Sequence, residues 1–470
     1  MSQKSSTSAF DYDLVVIGSG PGGHEAALRA AGEGLRVCIV EKGPLGGVCV
    51  NWGCIPTKAL LRSAEVFRLA GDASTFGLDI SSASVDHARA VKRSRKVSLL
   101  MSKGVESSLK KNGVEILRGE ASLVDEHHVK VVSDSSTDRV SARSVIVAAG
   151  GRSREIPSLP VDRRSIVTSH EALAMKTPPR TLLVIGGGAI GLEMAWYYQA
   201  AGSEVTVIEM MPRILPQEDR DISAGLEKAL KKLGINVLCG AGVEKASVDD
   251  SGMVSAAVKS ADGSQTVLEA DCMLVAVGVS PNTEGLNLEE VGVELDRGFI
   301  RTDHQCRTAV ENIFAIGDVR GGMLLAHKAS AEAVQVVNLL AGREAEGVDE
   351  TRIPRCVYTE PAVASVGLTE EQARREGHDP LVGRALFAAS GKASAYGVRD
   401  GFVKLLFDRE SGALLGGHVL GHGAVELIGE LTLARELEVT ARQLARAVHA
   451  HPTLSESVRE AAEDALSGAG

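Results

Sequence analysis

No stretch of the chain approaches the roughly 20 consecutive apolar residues that a membrane-crossing helix requires, so no membrane span is expected. The opening Met1-Ser-Gln-Lys-Ser-Ser-Thr-Ser-Ala-Phe10 has neither the apolar core of a secretory signal nor the length and arginine content of a mitochondrial leader. Residues 1–10 therefore read as a flexible tail, and the cytoplasm is the expected compartment. Positive charge is in deficit: a net charge of −10 gives no electrostatic reason to expect nucleic acid or an anionic membrane surface as a partner. Seven cysteines are too few and too scattered for the disulfide framework of a secreted protein. Aromatic residues make up only 3%, whereas the 51 glycines exceed the usual share and suit tight turns and close backbone approach to a ligand. That is an α/β profile, and 470 residues exceed what one core organises, so about two to four domains are expected.

What is present is centred on Gly46-Gly47-Val48-Cys49-Val50-Asn51-Trp52-Gly53-Cys54-Ile55-Pro56-Thr57-Lys58. A loop as short as Cys49 to Cys54 can close into a disulfide, the glycines give its backbone room, and a nearby lysine favours a thiolate, so the pair reads as redox-active. Two core thiols, or half of a metal site, would show the same spacing. A zinc site needs about four ligands, and no second Cys or His pair stands at metal spacing, so no metal is expected. Cys38, Cys239 and Cys272 lie in or beside apolar strand-like runs and read as core residues; Cys306 and Cys356 receive no role.

A dinucleotide signature precedes this stretch. The strand-like Asp13-Leu-Val-Val-Ile17 runs into Gly18-Ser-Gly20-Pro-Gly-Gly23 and a helical segment, and a second strand, Arg36–Val40, ends in Glu41. Gly18 permits the turn, Gly20 lets a pyrophosphate approach the backbone, Gly23 lets helix pack on strand, and Glu41 can accept hydrogen bonds from a ribose. The same arrangement recurs as Thr181–Ile185, Gly186-Gly-Gly188-Ala-Ile-Gly191 and a strand ending in Glu209, with the acid at the same distance from the third glycine. Two copies point to two separate dinucleotides. Met210 and Met211 follow Glu209 where a 2′-phosphate would want arginine, and Arg213 is displaced, so NAD is favoured over NADP.

A third signal, Ile313-Phe-Ala-Ile-Gly317-Asp318 before a helix around 325–340, could hold a polyol through Asp318 and place a helix start against a negatively charged ring. A turn or N-cap aspartate would look the same locally. From about Pro354 the pattern becomes alternating strands followed by helices, an α+β domain without a cofactor motif. It contains His449-Ala-His451-Pro-Thr-Leu-Ser-Glu456, a histidine near a carboxylate that can orient it for base work, although a His-Pro pair is also common in turns. The expected layout is a tail (1–10), a first nucleotide domain with the cysteines (11–155), a second nucleotide domain (156–283), a central segment (284–350) and the α+β domain (351–470).

Together these residues resemble the flavoprotein disulfide reductases, from about Asp11 to Leu466. The Gly-Gly-Val-Cys-Val-Asn-Trp-Gly-Cys-Ile-Pro-Thr-Lys run is similar to the redox motif, Ala-Ile-Gly-Asp to the second FAD motif, and His-Pro-Thr-Leu-Ser-Glu to the branch acting on lipoamide. The C-terminus lacks the extra cysteine pair of mercuric reductases, and Cys54 is absent from soluble transhydrogenases. The resemblance implies two Rossmann-like domains, for FAD and NAD, plus a C-terminal α+β dimerisation domain. It implies that Cys49 exchanges with a dithiol and that Cys54 faces the flavin as a charge-transfer thiolate. It also implies that His451, held by Glu456 and supplied by the partner of a homodimer, deprotonates dihydrolipoamide, and that Lys58 and Glu193 pair near the flavin. Gly18, Gly20, Gly22, Gly23, Glu41, Lys42, Gly47, Lys58, Ala121, Gly150, Asp318 and Ala326 are then expected at FAD, and Gly186, Gly188, Gly191, Glu193, Glu209, Val243 and Gly278 at NAD. The implied partners are lipoyl-bearing proteins of 2-oxo acid dehydrogenase or glycine-cleavage complexes. An NAD(P)H-dependent reductase of another disulfide is the alternative. Ala148-Ala-Gly-Gly151, Val279 and Trp52 depart from the commonest family pattern and bear on cofactor affinity or potential, not on the reaction class.

Overall fold

The computed structural model describes residues 9–468; the first eight residues of the expected tail and the last two of the chain lie outside the described residues. Two compact units form, each from three separated segments. The first takes the chain up to Pro56, Lys92–Arg154 and Val279–Glu350; the second takes Thr57–Val91, Glu155–Gly278 and Thr351 onward. Among the described residues no helix is long and apolar enough to cross a membrane.

The first unit is built on a parallel sheet in the order Glu115–Arg118, Val37–Glu41, Tyr12–Ile17, Thr137–Val147, Ile313–Ala315. Its inner strands are continuous apolar runs because both faces are covered. Helix Pro21–Gly32 begins with proline in its first turn, where a missing N–H costs nothing, and buries Gly22, Gly23, Ala26, Ala27 and Ala30. Gly22 allows helix Ala326–Leu340 to approach closely, since a Cβ there would stand 2.9 Å from the Ala329 carbonyl oxygen. Strand Thr137–Val147 serves two sheets. Its apolar end lies parallel to Tyr12–Ile17 and Ile313–Ala315, while its polar front half pairs antiparallel with His128–Val132, itself paired with Glu120–Leu123. The apolar pattern marks only the segment from Ser144, because the front half is exposed.

The second unit repeats the parallel strand–helix arrangement: Asn236–Cys239, Glu204–Glu209, Thr181–Ile185, Cys272–Val275 and Ile166–Val167 form a parallel sheet. Helix Ala189–Ala200 is apolar all round and almost wholly buried, in one cluster with Leu60, Leu61 and Ala64 of helix Cys54–Gly71. A three-stranded antiparallel sheet, Ala241–Val248, Val254–Ser260 and Gln265–Ala270, has no counterpart in the sequence-based expectation. The C-terminal part is a five-stranded antiparallel sheet in the order Arg355–Val357, Ala362–Gly367, Leu414–Gly421, Phe402–Asp408, Pro380–Leu386. Helices Ala424–Glu436 and Glu456–Ser467 share its core.

Candidate functional site

The glycines of the two turns divide by what surrounds them. A Cβ on Gly18 would lie 2.4 Å from the Ala148 carbonyl oxygen, and one on Gly23 would lie 2.0 Å from the carbonyl oxygen of Gly18; Gly20 would meet nothing within 4 Å. In the second turn Gly186 would collide with the Ala276 carbonyl at 2.4 Å and Gly191 with that of Gly186 at 2.1 Å, whereas Gly188 again meets nothing within 4 Å. The outer glycines thus close the strand–helix packing, and the middle one turns bare backbone toward an open face at a helix N-terminus. That is the geometry a pyrophosphate needs.

The two acids are held alike. Glu41 Oε2 accepts from the Ser19 amide at 2.9 Å and the Ser19 hydroxyl at 2.6 Å, and its Oε1 accepts from the Gly43 amide at 2.8 Å. Glu209 Oε2 accepts from the Gly187 amide at 2.6 Å and its Oε1 from the Met211 amide at 2.7 Å. Each carboxylate is therefore fixed beside the residue between the first two glycines, with lone pairs left for a ribose. Arg213 is engaged elsewhere, in an ion pair with Glu371 at 2.6 Å.

Cys49 does not lie in an open loop. It sits in a short helix, Gly47–Trp52, entered through Gly46 in the left-handed conformation, and Gly53 separates this helix from Cys54, the first residue of helix Cys54–Gly71. Both cysteines are half-buried. Pro56 is tolerated because it falls in the first turn, and a helix N-terminus favours a thiolate at Cys54. Asn51, buried, donates its amide to the carbonyls of Leu45 at 3.0 Å and Gly47 at 2.9 Å, tying down the approach to Cys49. Arg95 lies 3.9 Å from the Trp52 ring and donates to the Asn51 carbonyl.

Asp318 lies in the tight turn Gly317–Arg320, not at its N-cap, which is Ile316. Burial pushes its carboxyl pKa up. The turn is clamped from helix Ala326–Leu340: Glu332, wholly buried, accepts from the Gly317 amide at 2.7 Å, pairs with Lys328 at 2.9 Å and also binds Arg320. A partly desolvated carboxyl group at such a turn offers acceptor oxygens suited to a polyol hydroxyl.

In the second unit, Lys58 Nζ approaches both oxygens of buried Glu193, at 2.9 and 3.1 Å, and lies 4.1 Å from the Tyr358 ring centroid. The Tyr358 amide donates to Glu193 at 3.0 Å. His451 Nδ1 donates to Glu456 Oε1 at 2.9 Å, and the Thr453 amide donates to Glu456 Oε2 at 2.8 Å. These two bonds, the Thr453 amide first, hold the Glu456 carboxyl below its ordinary pKa. The cysteines thus belong to the first unit and the His–Glu and Lys–Glu pairs to the second.

Residues 12–333 match the pyridine nucleotide-disulphide oxidoreductase family, and residues 353–462 match the dimerisation domain of the same family. The chain belongs to the pyridine nucleotide-disulphide oxidoreductases. It is 57% identical over the whole length of both chains to a dihydrolipoyl dehydrogenase of Chlorobaculum tepidum. It is 44% identical to that of Zymomonas mobilis, over 96% of this chain and 97% of the relative. Among solved structures, LpdA from Mycobacterium tuberculosis superposes with a TM-score of 0.89 at 28% identity, covering 96% of this chain and 99% of that one. The HOCl-induced flavoprotein disulfide reductase RclA from Escherichia coli superposes with a TM-score of 0.86 at 27% identity, again over 96% and 99%. This member of the oxidoreductase family is therefore an enzyme of the flavoprotein type, and the family implies use of a flavin and a pyridine nucleotide.

The remaining expected positions are placed as follows. Gly47 backs onto Gly20, with room for no Cβ, at 2.7 Å from its Cα. Gly150 and Gly278 have φ of 69° and 118°, conformations that favour glycine. Lys42 pairs with Glu120 at 3.5 Å on the surface, beside Ala121 in strand Glu120–Leu123. Ala326 opens its helix, whose start receives no side-chain cap from Leu325, and Val243 pairs in register with Val258. Burial pushes the thiols of Cys38, Cys272, Cys306 and Cys356 up to about 12, so none of these resembles a reactive cysteine. Among the described residues no group of three or more His, Cys, Asp or Glu could hold a metal ion. Sequence reasoning passed over Ser19, Arg95, Arg320, Lys328 and Glu332. Lys328 and Glu332 carried a readable signal, two charges four apart on the face of a helix that also presents Ala329, Ala333 and Val336 to the core.

Proposed function

We propose that this chain is a dihydrolipoyl dehydrogenase: it oxidises protein-bound dihydrolipoamide to lipoamide and passes the electron pair through Cys49–Cys54 to NAD. The observation that carries the reading is the His451–Glu456 hydrogen bond, which fixes the imidazole with Nδ1 protonated and leaves Nε2 able to take a proton. The full-length likeness to dihydrolipoyl dehydrogenases supports the same substrate.

His451 removes a proton from one substrate thiol, and the thiolate attacks Cys49 Sγ. The Cys49–Cys54 bond breaks, and Cys54 leaves as a thiolate favoured by its helix N-terminus. His451 passes its proton to Cys49 Sγ as that sulfur is displaced and takes the proton of the second substrate thiol, whose sulfur closes the lipoamide disulfide. The two electrons then reside on the pair as a Cys49 thiol and a Cys54 thiolate, and the two protons on Cys49 and His451. FAD would be held by Gly18, Gly20, Glu41 and Asp318, with Gly22, Gly23, Lys42, Gly47, Ala121, Gly150 and Ala326 around it. NAD would be held by Gly186, Gly188, Gly191 and Glu209, with Val243 and Gly278. When bound, the flavin supplies a two-electron relay between dithiol and nicotinamide. Lys58 and Glu193 would stand near the flavin as an ion pair, the lysine's charge balanced by the carboxylate.

His451 is 79% exposed in the single chain, and it lies in the segment that matches the dimerisation domain. In this reading two chains form a homodimer in which each His451 serves its partner's cysteines, and the enzyme works in the cytoplasm on lipoyl groups carried by 2-oxo acid dehydrogenase or glycine-cleavage proteins.

The test is the rate of NAD reduction by dihydrolipoamide in the flavin-loaded enzyme, beside NADPH oxidation with glutathione disulfide. Fast NAD reduction, abolished by Cys49→Ser, is expected. Activity with NADPH and a disulfide alone would replace this reading with that of a reductase of another substrate, to which the likeness to RclA points.

A further inference from the structure

We infer that Glu371 is a determinant of dinucleotide choice: it draws the Arg213 guanidinium away from the 2′ side of the ribose that Glu209 would bind, and so withholds the cation that NADP needs. This rests on the proposed NAD site. Arg213 is the single basic residue between Glu204 and Asp219. Its loop is pinned to the glycine turn on both sides. Before it, the Met211 amide binds Glu209 at 2.7 Å and the Met211 carbonyl accepts from the Gly240 amide at 2.9 Å. After it, Ile214 is buried against Gly187, and the Leu215 amide donates to the Gly187 carbonyl at 2.9 Å. The backbone at Arg213 is therefore held beside Glu209, and only the side chain has a choice of direction.

That choice is set by an acid distant in sequence. Arg213 Nη2 meets Glu371 Oε2 at 2.6 Å and Nη1 meets Oε1 at 3.3 Å, a two-pronged pairing, while Nη2 also points to the Pro216 carbonyl at 3.4 Å. Glu371 is itself fixed, in the first turn of helix Glu370–Arg375, which is closed by a capping box between Thr369 and Gln372. Meanwhile Met210 and Met211, 75% and 44% exposed, present only apolar surface next to Glu209. Arginine is the side chain best suited to a 2′-phosphate, by its charge and its fork of donors. Here that fork is already occupied. The pair is partly exposed, 30% and 50%, so its hold is weak and a neutral residue at 371 would release Arg213 at small cost.

The experiment measures binding of 5′-AMP and 2′,5′-ADP to the flavin-loaded wild type, Glu371→Gln and the double variant Arg213→Ala/Glu371→Gln by calorimetry. Glu371→Gln is expected to tighten 2′,5′-ADP by about fivefold relative to 5′-AMP, the equivalent of one partly exposed ion pair, and the double variant to lose that gain. An unchanged ratio in Glu371→Gln, or a gain that survives without Arg213, overturns the role of Glu371 while leaving the NAD reading in place. A wild type that itself binds 2′,5′-ADP more tightly than 5′-AMP overturns the NAD reading, and with it the premise that Arg213 is withheld. Normal NAD-dependent turnover in Glu371→Gln reports that the variant is folded.

Discussion

His451 and Glu456 are joined by a 2.9 Å hydrogen bond between Nδ1 and Oε1, and the second carboxylate oxygen is occupied by the Thr453 amide. The carboxylate is thus oriented by backbone before it orients the imidazole. His451→Ala should lower kcat for dihydrolipoamide oxidation by roughly a thousandfold, the range for losing a general base. Glu456→Gln keeps an oxygen for the Thr453 amide but loses the anion, so a smaller loss of about tenfold is expected, with an unchanged circular dichroism spectrum. Steady-state kinetics on both variants check the order of the two effects.

The glycine turns separate folding from binding. Gly23→Ala would force a Cβ to within 2.0 Å of the Gly18 carbonyl and should destabilise the protein by more than about 3 kcal/mol, whereas Gly20→Ala meets no atom within 4 Å. The melting temperature of the apoprotein should therefore stay near wild type in Gly20→Ala. Flavin retention should fall at least about tenfold, because the methyl group stands where a pyrophosphate would approach.

Six of the seven cysteines should divide by reactivity. Burial raises the thiols of Cys38, Cys272, Cys306 and Cys356 to about 12, so they remain protonated and unreactive at neutral pH and become labelled only as pH approaches that value or the fold opens. After reduction of the native protein by dihydrolipoamide, iodoacetamide at near-neutral pH should modify Cys49 and Cys54. Peptide mass spectrometry reads the sites, and modification of the other four without unfolding would contradict the assignment.

Breaking the Lys58–Glu193 pair from one side should cost more than removing both partners. Lys58→Ala strips the lysine from a carboxylate that is 4% exposed, leaving it the Tyr358 amide, and should lower stability by about 2 kcal/mol, moderated because Lys58 is itself partly exposed. Lys58→Met/Glu193→Leu should regain most of that loss without regaining turnover. Urea unfolding measured beside NAD reduction separates the two effects.

The strand–turn–helix units, the spacing of their acids, the cysteine pair and the His–Glu pair were all legible in the sequence. Each is completed within a short run of chain, where glycine tolerance, apolar patterning and capping act directly on the backbone. The short helix around Cys49 was not legible, because its start depends on left-handed Gly46 and its anchorage on Asn51 reaching back to Leu45. Neither was the front half of strand Thr137–Val147, whose polar residues carry no apolar signal and find their partner in His128–Val132.

What the sequence by itself determined are the two strand–glycine turn–helix units with their acids, and the nearness along the chain of Cys49 to Cys54 and of His451 to Glu456. What only the tertiary structure decided is which charge meets which: Lys58 with Glu193, Arg320 and Lys328 with Glu332, Arg213 with Glu371. Local backbone geometry is encoded by neighbours along the chain. A buried charge such as Glu193 or Glu332 instead takes whichever counter-charge the packing of other elements brings within reach, because leaving it unpaired is costly, while a partly exposed one such as Arg213 is steered only weakly.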